Sequence, residues 1–76
     1  MNKIYVVSWN PEFRVIDFIR LVKEFDQNGL AAAKKKVDAF IENKEVSIEL
    51  AVTSEKLEET VERLNKIGVE IFVANN

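Results

Sequence analysis

The spacing of apolar residues along the chain switches between a period of two and a period near three and a half, and each switch marks an element. Ile4 to Trp9 is rich in β-branched and aromatic residues and stops at Asn10-Pro11, which reads as a strand and a turn. Asn10 is placed to cap a helix, with Pro11 in its first position and Glu12 in its first turn. From there to Phe25, the residues Val15, Phe18, Leu21, Val22 and Phe25 line one helical face, while Ile16, Ile19, Arg20 and Lys23 form a second stripe beside it. Asp26-Gln27-Asn28-Gly29 is a polar break whose glycine suits a left-handed cap. A second helix is expected from Leu30 to about Asn43, with Leu30, Ala33, Val37, Phe40 and Ile41 inward and Lys34, Lys35 and Lys36 around the rest of the cylinder. Val46, Ile48, Leu50 and Val52 then alternate with polar or small residues, predicting a strand with one buried face. Thr53-Ser54 caps a third helix whose inner face is Leu57, Val61, Leu64 and Ile67. Glu59 with Arg63 and Glu62 with Lys66 are spaced as favourable pairs, and Gly68 ends the helix. Val69 to Ala74 is a last strand.

The order strand, helix, helix, strand, helix, strand predicts an α/β fold of the α+β kind: one domain over residues 1–76, a two-layer sandwich. Its three-stranded, mainly antiparallel sheet carries the helices on one face and leaves the other open. In that arrangement Ile4 and Val6 face the helices. Tyr5, Val7 and Trp9, joined by Phe72, then face outward as a possible self-association surface, unless Trp9 folds over the sheet edge as a lid.

Composition narrows the chemistry. The chain has 76 residues, 47% apolar and 32% charged, with no cysteine and no histidine. Disulfides, thiolate metal sites and cysteine nucleophiles are excluded together, and the commonest general base and metal ligand is missing. Glu58 and Glu62 are neighbours on the third helix, but nothing nearby predicts the desolvation that would raise a carboxylate pKa. There is no phosphate loop or dinucleotide fingerprint. The expectation is a protein that is not an enzyme and uses no cofactor or metal.

The net charge of −2 hides a polarity. Residues 1–40 hold seven bases against five acids, and the remainder four against eight. An overall acidic chain disfavours nucleic acid as partner and suits a protein partner. The chain runs from Met1-Asn2-Lys3 straight into a strand pattern, and no apolar run is long enough to span a bilayer. A cytoplasmic setting without membrane attachment is therefore expected.

The string from Ile4 to Lys34 also carries a likeness. Ile4 to Ser8, the apolar-basic pairs from Ile16 to Lys23, the step Gly29-Leu30 and the pair Ala33-Lys34 together resemble the C-terminal domain of the bacterial ribosomal stalk protein. Val52-Thr53-Ser54 and Ile67-Gly68-Val69-Glu70 extend the likeness over nearly the whole chain. The resemblance implies a partner-binding surface at Ile16, Ile19, Arg20, Lys23 and Lys34, and a translational GTPase-like protein as partner. It covers the binding head alone, without the family's dimerisation segment and hinge. The family's glycine-rich turn is reduced to Gly29, and a lysine typical of the next turn is Ala31. Periodicity alone leaves Ile19 divided between core and surface. Ile16 lies roughly 90° or more past the core stripe of a regular helix, so it belongs to an interaction surface or is buried under a loop. Asn10-Pro11-Glu12-Phe13 followed by Asp17-Phe18 is similar to the signature of the Clp protease adaptor, a same-fold relative. That likeness implies an alternative peptide-binding corner at Asn10, Glu12 and Phe13, although Pro11 replaces an acid and the family's histidine is absent.

Overall fold

The structure is a computed structural model that describes residues 2–26 and 28–75; Met1, Gln27 and Asn76 lie outside it, and with them the Gln27 position of the expected polar break. Its elements follow the expected order: β1 (Asn2–Trp9), α1 (Val15–Phe25), α2 (Leu30–Ile41), β2 (Ile48–Val52), α3 (Ser54–Ile67) and β3 (Val69–Asn75). β1 is the central strand, antiparallel to both neighbours in the order β2-β1-β3. The register sets Ile4 between Leu50 and Val73, and Val6 between Ile48 and Ile71. Alternation carries these residues to the helical side, where Ile4, Val6, Ile48, Leu50 and Val52 are buried with Phe18, Leu21, Val22, Ala33, Val37, Phe40, Leu64 and Ile67. α1 lies between α2 and α3 in the helical layer.

Four local expectations change, each for an identifiable reason. Asn10 does not cap α1. Its carbonyl accepts the Phe13 N–H at 3.0 Å, closing a turn with Pro11 second, a favoured place for proline. The Asn10 N–H donates to the Gly68 carbonyl at 2.8 Å and the Arg14 N–H to Ile67 at 2.9 Å, so the segment is latched to the α3–β3 turn and α1 starts only at Val15. Gly29 has the positive φ expected of it, 96°, but sits at the N-cap of α2 instead of closing α1. α2 stops two residues early because Asn43 takes the left-handed conformation (φ 62°). The Lys44 N–H then bonds Ala39 and the Asn43 N–H bonds Phe40, a Schellman closure. Val46 lies outside the sheet and is 91% exposed, because pairing of β2 with β1 begins at Ile48.

Trp9 also departs from its expected place. Val6 is opposite Ile71, yet Ser8 is opposite Glu70, so Val7 is an extra residue and a bulge. The bulge reverses the alternation and carries Trp9 to the helical side beside Val69. There its ring lies 5.0 Å from that of Phe40 and 6.1 Å from that of Phe13. Trp9 is therefore not part of the open face with Tyr5, Val7 and Phe72, nor a lid over the sheet edge.

Gly68 ends α3 as expected, in the left-handed conformation (φ 101°, ψ 31°). A Cβ there would meet Phe13 Cα and Cβ at 3.2 Å, so the position requires glycine for space as well as for backbone angle.

Candidate functional site

α1 presents two opposite faces. Phe18, Leu21 and Val22 are fully buried, and the roll of the helix sends Ile16, Arg20 and Lys23, spaced i, i+4 and i+7, toward solvent. Ile16 is 63% exposed, so no loop covers it. Ile19 is half-buried and packs against the core, on the flank between the two faces. Lys34 is exposed on α2.

Leu30 joins this surface, although its periodicity assigns it to the core. It is 53% exposed and lines an open depression of about 410 Å³ with Arg20, Lys23 and Glu24. As the first residue of α2 it lies on the helix's inward face by angle, yet it emerges beside Arg20, Lys23 and Glu24 of α1, a placement that no periodic count can see. Lys34 follows one turn later on the same flank of α2. Among the described residues Arg20, Lys23 and Lys34 form no ion pair, and neither do Lys35, Lys56 and Lys66, whereas Lys3, Arg14, Lys36, Lys44 and Arg63 all do.

The paired charges brace the layer beneath. Arg63 of α3 donates both guanidinium arms to Glu24 of α1, at 3.0 and 2.6 Å. This bidentate bond holds the Glu24 carboxyl below its ordinary pKa and raises that of Arg63. It also replaces the expected Glu59–Arg63 pairing within α3, because a fork across two helices satisfies both carboxylate oxygens. At the α1–α2 turn the buried Asp26 accepts the Asn28 N–H at 3.0 Å and meets Lys36 Nζ at 2.8 Å, and the Lys36 bond, more than any other contact, lowers its pKa. On the open sheet face Lys3 bonds Glu49 at 2.9 Å, raising its own pKa and lowering that of the carboxylate.

The alternative corner is a separate place. Asn10, Pro11, Glu12 and Phe13 line an open depression of about 600 Å³ with Arg14, Asn65, Lys66, Ile67 and Gly68. Asn10 and Glu12 are exposed, while Phe13 is half-buried against Trp9 and Phe18. On the open sheet face Tyr5 and Phe72 lie with ring centroids 6.4 Å apart, and Val7 is exposed beside them.

Among the described residues, no group of three or more acidic side chains is placed to hold a metal ion, and no helix is long and apolar enough to cross a membrane. Glu58 and Glu62 are both exposed. The architecture defines a small α+β domain with helices on one side of an antiparallel sheet. Comparison with protein-family models, with curated proteins and with solved structures finds no match.

Proposed function

We propose that this protein is a non-catalytic protein-interaction module that binds an acidic or mixed helical partner through the solvent face of α1 and the start of α2, in the manner of the factor-recruiting head of the ribosomal stalk. The observation that carries this reading is Ile16: a large apolar side chain 63% exposed on the first turn of α1, flanked by Arg20 and Lys23, neither with an ionic partner among the described residues. An apolar anchor ringed by uncompensated charge is the usual anatomy of a protein-binding patch. Ile16, Ile19 and Leu30 bury against the partner, and Arg20, Lys23 and Lys34 steer and orient it.

Titration with a purified translational GTPase tests the reading. Ile16→Glu and Lys23→Glu are each expected to weaken binding by about 30-fold, the effect of a ~2 kcal/mol hot spot. Equal binding by the wild type and both variants removes the patch, and absence of binding by the wild type removes this class of partner.

A second reading, an adaptor that presents peptides to a Clp-type protease, is favoured by the open depression at Asn10, Glu12 and Phe13. Trp9 touches Phe13 and is the only tryptophan, so peptide binding at that corner is expected to change its fluorescence while binding at Ile16 is not.

A further inference from the structure

The sheet has two free edges, and they are built differently. β2 has five residues, and its exposed side chains are Glu49, held by Lys3, and the small Ala51. β3 has seven residues, Val69–Asn75, with no proline, no lysine and a single charge, Glu70. Short length, proline and charge, above all lysine, are the devices that keep strand edges from pairing with other chains. β3 carries almost none of them.

Two exposed apolar side chains sit at its centre and point to opposite sides of the sheet. Phe72, 61% exposed, is opposite Tyr5 on the open face; Val73, 37% exposed, is opposite the fully buried Ile4 on the helical side. A partner laid on the open face would cover Phe72 and miss Val73, and one docked against the helices would do the reverse. Only a strand added in the plane of the sheet brings side chains to both, while also satisfying the backbone groups of the edge.

We propose that the occupant is a second copy of this chain, its β3 antiparallel to the first about a two-fold axis at Phe72, which joins two three-stranded sheets into one of six strands. Phe72 is the midpoint of Val69–Asn75, so this register overlaps the whole strand. The two Phe72 residues meet on the open face, Ile71 of each copy meets Val73 of the other on the helical side, and Glu70 falls opposite Ala74. The only charge on the strand thus faces an alanine, whereas a register centred on Glu70 would set two carboxylates against each other. The near-palindromic order Ile71-Phe72-Val73 makes the strand complementary to itself.

Sedimentation equilibrium from about 1 μM to about 1 mM is the test, a range that spans the affinities of weak to moderate dimers. The wild type is expected to dimerise. Val73→Lys installs on the helical side the lysine that natural edges use, and is expected to weaken the dimer by about 10-fold or more. Val7→Lys lies on the central strand β1, off the free edge of β3, and is expected to leave it unchanged. Because the chain has no cysteine, oxidised Phe72→Cys should give a disulfide-linked dimer, its Cα atoms about 4.5–5.5 Å apart across the axis, while Val7→Cys should not. That pair decides the matter even if Val73→Lys fails to fold. A wild type that stays monomeric throughout overturns the proposal. So does a dimer broken by Val7→Lys and not by Val73→Lys, or cross-linked through Val7→Cys and not through Phe72→Cys.

Discussion

The inner and outer faces of α1 are made from the same eleven residues and are equally regular as helix, yet they do different work. Phe18, Leu21 and Val22 are buried among β1, β2 and the other helices, and their chemistry is packing. Ile16, Arg20 and Lys23 are exposed, and among the described residues the two bases form no ion pair. The difference teaches that a side chain's contribution is set by what surrounds it. An apolar residue inside stabilises the domain, whereas the same residue outside adds little to its stability and, under the proposed function, is free to meet a partner.

The comparison can be broken most strongly from the inside. Phe18→Ala empties the centre of the core and is expected to cost about 3–5 kcal/mol, enough to unfold much of a domain of this size; urea denaturation followed by far-UV circular dichroism measures it. Next in size is Gly68→Ala, at the turn that latches the start of α1. It puts a Cβ into the left-handed region and 3.2 Å from Phe13, and a loss of about 1–3 kcal/mol is expected from the same measurement.

The flank between the two faces is worth less. Breaking the Glu24–Arg63 bond is expected to cost about 0.2–1 kcal/mol, because the pair is half-exposed and screened, and a double-mutant cycle with Glu24→Gln and Arg63→Gln isolates it. The same carboxylate bears on pH. Glu24, Asp26 and Glu49 all have folded-state pKa values below the ordinary ones, so the stability they contribute is complete above the unfolded values near 4. It is expected to be lost as the pH falls below about 4 and through the lowered folded values. A thermal-melting midpoint that stays constant from pH 5 down to pH 2 would exclude this linkage. At the small end, Ile16→Glu is expected to change stability by no more than about 0.5 kcal/mol while it weakens partner binding, which separates the outer face from the inner one outright.

The element order and the core were legible in the sequence because both rest on local period. Apolar residues every second position can be buried only by a strand, and those every third and fourth only by a helix. Ile4, Val6, Phe18, Val37, Leu50 and Leu64 are therefore inside as their spacing requires. Gly68 was legible too, since a glycine after an amphipathic run is the commonest way to close it. The second stripe of α1 could be drawn from angles alone, but whether Ile16 was open or covered could not, because a loop that covers a helix leaves no period in it.

What tertiary structure alone decided lies where elements meet. The bulge at Val7 turns Trp9 from the open face to the core, and it arises from the register between β1 and β3, two strands separated by most of the chain. Leu30 is inward by angle and outward in fact because its neighbours at the start of α2 are Arg20, Lys23 and Glu24 of α1. Asn10 yields its cap to a turn because the Gly68 and Ile67 carbonyls are waiting across the fold. Sequence determines which face of each element is apolar, since that is a property of the element by itself. The neighbours determine how far that face is covered, since coverage depends on lengths, registers and crossings that no single element contains.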